Sequence, residues 1–443
     1  MLKTFRKGGV HPPENKLSAN AHIEVLPVPS SVFIPVGQHI GAPGTPVVKR
    51  GDEVKAGQLI AKSSSFVSTN IHSPVSGVVK RVDFQADSSG YPKQGILIDV
   101  KGDEWLETID RTDELKKEFE LDGQTIISKI QDAGIVGMGG ATFPTHVKLI
   151  PPKGMKANVL LINGVECEPY LTSDHRLMLE KPDEILVGTK LLMKALNVEK
   201  AVIGIENNKP DAIRVLTEKA KTFSGITVVA LKVKYPQGGE KQLIEAVTGK
   251  EVPSGGLPIA VGVVVSNVGT AFAVYEAIQK NKPLIERVVT ITGKAVKKPS
   301  NFLVRIGTPV SALIDAAGGM PESTGKIISG GPMMGRAVAT AEVPVTKGTS
   351  GILLMKEEES KRKEQIACIR CSRCVAACPM GLEPYLLMTL SEKHIFDRAE
   401  ENRIMDCIEC GSCSYTCPSN RQLLDYIRFG KGKVGQIIRT RKK

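Results

Sequence analysis

The chain of 443 residues has room for about three domains of about 150 residues each, and its 41% hydrophobic and 24% charged residues are those of a globular protein rather than a disordered or fibrous one. The formal charge of +12 favours acidic partners, phosphorylated cofactors or an anionic membrane face. A single Trp and the lack of any nucleic-acid-binding motif argue against nucleic acid as that partner.

The opening, MLKTFRKGGVHPPENK, is basic but has no apolar stretch behind it, so no signal peptide is expected. The most apolar stretch, Leu257 to Ile278, is interrupted by Ser266, Asn267, Gly269 and Thr270 and reads as a buried strand followed by a helix, not a membrane span. Any membrane attachment is therefore expected through other subunits.

Residues 30–100 read as an all-β unit, with short apolar runs such as Leu59–Ile60, Gly77–Val82 and Gly95–Val100 set between Gly, Pro and Asp turns. The stretch from Val47 to Val82 resembles a lipoyl/biotinyl-like barrel-sandwich hybrid, assigned to residues 1–115. Its hammerhead region, SSSFVSTNIHSP, has no Lys to modify, so a structural or docking role is expected rather than a swinging arm. Residues 101–123 are charged and read as a partly helical linker.

From 124 to 282 apolar β-like runs (158–163, 200–206, 226–233, 261–267) alternate with helical patterns, which predicts an α/β domain around a largely buried sheet. Residues 283–345 turn β-rich again. The run KEEESKRKEQ (356–365) reads as a solvated helix or linker, residues 356–430 hold the cysteines, and the basic tail 431–443 is expected to be flexible.

Eight of the nine cysteines form two runs, Cys368, Cys371, Cys374, Cys378-Pro379 and Cys407, Cys410, Cys413, Cys417-Pro418, each residue of the second lying 39 positions after its counterpart. Three thiolates at this spacing wrap one [4Fe–4S] cubane, and the fourth, before a Pro, reaches the other cubane. The crossed sets are Cys368, Cys371, Cys374 with Cys417, and Cys407, Cys410, Cys413 with Cys378. Zinc sites use CxxC pairs or Cys/His sets, a poorer match to this doubled run. Two adjacent clusters imply an electron relay. The helical spacing between the runs resembles an α-helical ferredoxin. Cys167 stands apart and reads as a lone buried thiol.

GIVGMGGATFPTHVK (134–148) lies at a loop-to-helix junction and does not fit GxGxxG, although its glycines would let backbone N–H groups approach a phosphate. LLINGVECEPYLTSDHR (160–176), YPQGGEKQLIEAVTG (235–249) and VVSNVGTAFAV (264–274) follow it. In this order the four segments are similar to the flavin- and NADH-binding segments of the 51-kDa flavoprotein family of respiratory complex I, with a β-grasp, soluble-ligand-binding module after them. The resemblance implies that Gly137, Gly139, Gly140 and Lys148 cradle non-covalent FMN, and that Asn163 and Glu166 bond the flavin. It further implies that Phe143 and Glu168 meet NAD(H), and that Tyr235, Glu240, Ser266 and Asn267 complete the pocket. Met138, Thr142, Val165, Gly239 and Ser266 depart from that family's pattern.

Over nearly its full length, including FRKGGVHPPENK, GGATFPTHVKL, NGVECEPYLTSDHR, SGGPMMG and the doubled cysteine run, the chain resembles the C subunits of Rnf-type electron-transport complexes, ion-translocating ferredoxin:NAD oxidoreductases. The fold class expected is thus a multidomain α/β chain of four modules. The resemblance implies electron passage between NAD(H), FMN and two [4Fe–4S] clusters, with membrane subunits as partners and ferredoxin as an indirect one. It places the chain peripherally on the cytoplasmic face of the cell membrane. No catalytic acid or base is expected. A cobalamin reductase-like protein and a non-enzymatic polyferredoxin scaffold are the alternatives; NADH bleaching of a bound flavin separates an enzyme from the scaffold.

Overall fold

The structure, a computed structural model, describes residues 2–441. The alternation of apolar runs and helices in the middle of the chain produces a four-stranded parallel sheet in the order Ile226–Leu231, Ala201–Glu206, Val159–Asn163, Val263–Asn267. Its strands are near-continuous apolar runs because helices cover both faces. Pro182–Leu196 and Val268–Gln279 bury one large core, with Ile162, Leu191, Ile203 and Val274 fully enclosed. A smaller core with Leu161, Val165, Leu243 and Val265 fills the other side. The chain moves outward from Val159–Asn163 on one side and returns on the other as Val263–Asn267. Strand order therefore reverses between them, and the crevice beyond their C-terminal ends is where such sheets bind ligands.

Ahead of this domain, an antiparallel four-stranded sheet (Ser31–Pro35, Pro92–Val100, Gly77–Ala86, Glu53–Val54) and a three-stranded one (Thr45–Pro46, Leu59–Lys62, Ile71–His72) enclose Val32, Ile34, Ile60, Ile71, Ile96 and Ile98. After it, a six-stranded mixed sheet packs against the helix Val310–Ala316 around Val289, Ile291, Leu313 and Ile352. The last unit is helical, and its core includes Leu387, Met388, Ala399, Ile404, Ile427 and Val434.

Two expectations change, and the N-terminal module gains a lead-in. The first residues run as a strap over the α/β domain, where Val10 pairs with Tyr235, and Ile23–Val25 become an edge strand of the third sheet beside Ser300–Arg305. Residues 101–122 carry no helix; the stretch is fixed instead by Trp105, whose ring lies between the guanidinium groups of Arg111 and Arg305, at 4.7 and 4.2 Å. The tail is not flexible as far as Arg441. The helix Leu423–Arg441 continues through it, because Ile427, Val434 and Ile438 extend an apolar stripe onto the core and Arg441 pairs with Asp397 and Glu400.

Lys347 is the joint of three modules. Its buried ammonium donates to the carbonyls of Asn70 (2.9 Å) in the barrel and Gly134 (2.7 Å) in the α/β domain, while its own segment belongs to the third sheet. Burial lowers its pKa to about 7. The hammerhead region without a lysine thus has a docking place: Phe66 accepts a hydrogen bond from the ring of His146 (3.1 Å), just behind the Gly-rich loop. Among the described residues no helix is long and apolar enough to cross a membrane.

Candidate functional site: a crevice backed by a thiol-lined cavity

The crevice is built on two asparagines in register, Asn163 and Asn267, at the ends of adjacent parallel strands. Asn267 caps the helix Val268–Gln279, accepting from Gly269 N (2.8 Å), and donates to Asp174 Oδ2 (2.7 Å). Asn163 donates to Gly238 O (2.8 Å). The Gly-rich loop folds over this pair. Gly137 N donates to Phe143 O (2.9 Å), and Met138 N to Thr270 Oγ1 (3.0 Å). A Cβ on Gly139 would stand 2.7 Å from Asn267 Nδ2, whereas nothing lies within 4 Å of one on Gly140. The loop backbone thus presses on Asn267 at one residue and faces open space at the next, which fits a phosphate approaching the peptide N–H groups. Lys148 adds a cation: its ammonium donates to Glu240 Oε1 (2.8 Å) and Val265 O (3.3 Å), leaving one N–H for an anion. Phe143 and Ser266 are half-buried beside these groups.

The two glutamates of the 163–173 loop have other partners. Glu166 caps the helix Ser173–Glu180, accepting from Asp174 N (2.8 Å) and His175 N (3.2 Å), so its carboxylate is already committed to the backbone. Glu168 accepts from Met333 N (3.2 Å) and Met334 N (2.6 Å) in the SGGPMMG loop of the third module. A Cβ on Gly331 would stand 2.3 Å from its Oε2, so only glycine admits this approach. Burial pushes Glu168 up to about 7. Both carboxylates, expected to meet flavin and NAD(H), are thus engaged with backbone N–H groups of the protein. Asp174, missed in the sequence, is half-buried between Glu166 and Asn267, and desolvation together with the Glu166 charge raises its pKa.

Tyr235 connects the crevice to the thiols. Its buried hydroxyl donates to Cys410 O (2.7 Å), and with Val10, Ala377 and Cys410 it forms a small apolar cluster that Cys167 and Met333 also touch. Beyond that wall Cys378, Cys407, Cys410 and Cys413 line one enclosed cavity with Pro379, Leu387 and Leu424. Burial pushes Cys407 up to about 11 and Cys413 to about 12, the state of thiols that need iron to ionise. Backbone N–H groups of Leu382 and Glu409 point at Cys378 Sγ and Cys407 Sγ (3.4 Å each), the kind of contact that tunes a cluster's potential. Cys374 and Cys417 are half-buried and close enough for their charges to interact, whereas Cys368 and Cys371 are exposed. Cys167, expected to be buried, is half-buried, its sulfur accepting from Gly238 N (3.3 Å).

Comparison with known proteins assigns these modules. Residues 3–103 match the RnfC barrel sandwich hybrid domain, 130–276 the Nuo51 FMN-binding domain, 288–337 the SLBB domain and 360–418 a 4Fe-4S dicluster domain. The C subunit of the proton-translocating ferredoxin:NAD(+) oxidoreductase complex of Clostridium ljungdahlii is 52% identical over 98% of this chain and 94% of its own. The corresponding C subunit of the Na(+)-translocating complex of Acetobacterium woodii is 46% identical over 97% and 96%. That of the ion-translocating oxidoreductase complex of Rhodobacter capsulatus is 42% identical over 98% and 84%.

The chain belongs to the family of Rnf complex C subunits.

Membership gives the opening motif a physical meaning that the sequence alone did not. Lys16, from PPENK, inserts its ammonium into the 166–171 loop and donates to the carbonyls of Glu166 (2.8 Å), Glu168 (2.9 Å) and Leu171 (2.7 Å). Burial lowers its pKa to about 8. In this member of the RnfC family the strap therefore shapes the loop that carries both glutamates. The same strap reaches the cluster unit, where Gly9 N donates to Ala377 O (2.9 Å). A lysine 150 residues from its nearest partner carries no local signal. Its position within a motif that neither the barrel nor the flavin segments explained was the available clue.

Proposed function

We propose that this chain is the NAD(H)-reactive flavin and iron–sulfur subunit of a membrane-bound ion-translocating ferredoxin:NAD oxidoreductase, held peripherally at the cytoplasmic face by its partner subunits. The observation that carries this reading is the shared wall. Tyr235 lines the crevice module on one side and hydrogen-bonds the backbone of Cys410 on the other, so a flavin site and a cluster site are separated by a single packed layer. When bound, FMN exchanges two electrons at once with NAD(H) and one at a time with the clusters.

The residues supply binding and orientation. Gly137, Gly139 and Gly140 offer backbone N–H groups to the flavin phosphate, and Lys148 offers its remaining N–H. Asn163, Ser266 and Asn267 line the floor, and Phe143 presents a face on which a nicotinamide can stack. Glu240 holds Lys148 in place. Glu166 and Glu168 act one step back: Glu166 fixes the helix that presents Asp174, and Glu168 ties the SLBB loop to the site. Cys378, Cys407, Cys410 and Cys413 hold an inner [4Fe–4S] cluster, and Cys368, Cys371, Cys374 and Cys417 an outer one. Inner and outer clusters in series with the crevice make a one-electron path from the nucleotide to the chain's edge. The mixed sheet with its crossing helix reads as a β-grasp module, and the cluster unit as an α-helical ferredoxin. We take the functional domains as residues 124–282, 283–345 and 356–430.

NADH added to the reconstituted chain should bleach a flavin absorbance and support ferricyanide reduction without partner subunits. A flavin spectrum that NADH leaves unchanged would reduce the chain to a cluster-bearing scaffold.

A further inference from the structure

The outer thiol set lies in a segment unlike any other in the molecule. Residues 361–373 are exposed without a break, and from 362 to 372 the chain has no regular structure. Three hydrogen bonds tether it to the rest of the cluster unit, Ile366 N to Ser419 O (3.2 Å), Asn420 Nδ2 to Glu364 O (3.0 Å) and Arg362 Nη1 to Asp425 Oδ2 (2.5 Å). It presents Ile366 and Ile369 at 53% and 61% exposure on either side of Cys368. It also carries Lys361, Arg362, Lys363, Arg370 and Arg373 against one acid, Glu364. Lys363, Arg370 and Arg373 have no ion-pair partner among the described residues. Tyr385, close enough to interact with Cys374 and Cys368, adds a further exposed ring.

We infer that this segment is the docking surface for the acidic face of a one-electron-carrying partner subunit of the same complex, which covers the outer cluster and exchanges single electrons with it. The inference rests on the proposed function, since it needs a cluster at Cys368, Cys371, Cys374 and Cys417. Each transfer moves one electron between the outer cluster and the partner's redox centre, oxidising one and reducing the other, with no bond made or broken. Exposed isoleucines beside a cluster ligand, rimmed by unpaired cations, match the anatomy of a protein interface, an apolar centre with a charged rim. An irregular backbone with open N–H and C=O groups is unsuited to the apolar layer of a membrane. A second copy of the chain would bring like charges together. Charge complementarity therefore selects an acidic protein surface.

The test uses the assembled complex in its membrane. A photo-crosslinking residue at position 369 should label an Asp/Glu-rich segment of another protein subunit of the complex. Labelling of phospholipid, of a second copy of this chain, or of nothing would overturn the inference. In the same membranes Lys361→Glu/Lys363→Glu should slow electron transfer between NADH and ferredoxin about tenfold at low salt, with the difference vanishing at about 1 M salt, where charges are screened beyond about 3 Å. NADH:ferricyanide activity should be unchanged. No slowing, or a slowing indifferent to salt, contradicts a charge-guided surface. Absence of NADH:ferricyanide activity in the unmodified complex would sink the proposed flavin function instead, and the crosslink would still report on the surface.

Discussion

The inner and outer thiol sets arise from one repeated sequence and finish in opposite surroundings. Cys378, Cys410 and Cys413 are buried among Leu387, Leu424 and Ile427, with Cys407 beside them, while Cys368 and Cys371 stand in water. The ligand spacing is identical, so the difference comes from what each run packs against. The second run lies under the crevice and third modules, where Met333 O of the third approaches Gly411 and Tyr235 of the crevice module bonds Cys410. The start of the first run, around Cys368 and Cys371, has only tethers to Ser419, Asn420 and Asp425. Spacing defines a cluster's ligands; tertiary packing decides which cluster faces the flavin and which faces outward.

The largest effects come from breaking the crossed ligand sets. Cys378→Ser should cost the inner cluster and Cys417→Ser the outer one, although each lies in the opposite run. Iron should fall from about eight to about four per chain in either case. Only Cys378→Ser should also lower thermal stability markedly, because its cavity is part of the hydrophobic core. Iron content and melting temperature measured together decide it, and equal destabilisation by both variants would erase the inner–outer contrast.

Gly139→Ala separates the crevice from both clusters. Its new Cβ meets Asn267 and must displace it, at a cost of about 1–3 kcal/mol. Flavin content should drop while iron is retained, as read from absorbance and iron assay of one preparation.

Glu168→Gln probes the SLBB joint. The folded state raises this carboxyl from 4.5 to about 7 by burial, so it favours the protonated form. The stability this contributes is full below about pH 4.5 and is lost as pH rises to about 7, on the order of 3 kcal/mol. The glutamine stays neutral throughout. Between about pH 5 and pH 8 the wild type should therefore lose stability relative to the variant, as followed by urea denaturation. Parallel pH profiles would show that Glu168 is ionised in the fold at all these values.

Tyr235→Phe is the mildest change. It removes the hydrogen bond to Cys410 O, for about 1 kcal/mol. A small shift in the inner cluster's potential, with the outer cluster's unchanged, is the expected outcome of redox titration.

Much of this was legible in the sequence. The cysteine runs, with their fixed 39-residue offset, announce a dicluster unit, and Cys378 does share a cavity with Cys407, Cys410 and Cys413. The apolar runs at 158–163 and 261–267 announce the strands whose ends hold Asn163 and Asn267. What stayed hidden is non-local. Lys16 under the 166–171 loop, Lys347 joining Asn70 to Gly134, and Glu168 reaching Met333 each pair residues more than a hundred positions apart, and no periodicity records such partners. The end of the last helix was hidden differently: Ile427, Val434 and Ile438 keep helical spacing, but the lysines and arginines between them read as a solvated tail.

The central claim is the order crevice, inner cluster, outer cluster. It is tested most directly by electron paramagnetic resonance of two cluster-deleted variants after NADH addition under anaerobic conditions. In Cys371→Ser, which lacks the outer cluster, NADH should still reduce the inner one. In Cys410→Ser, which lacks the inner cluster, the outer one should stay oxidised on the same timescale although flavin is bleached. Rapid reduction of the outer cluster without the inner one would contradict the account.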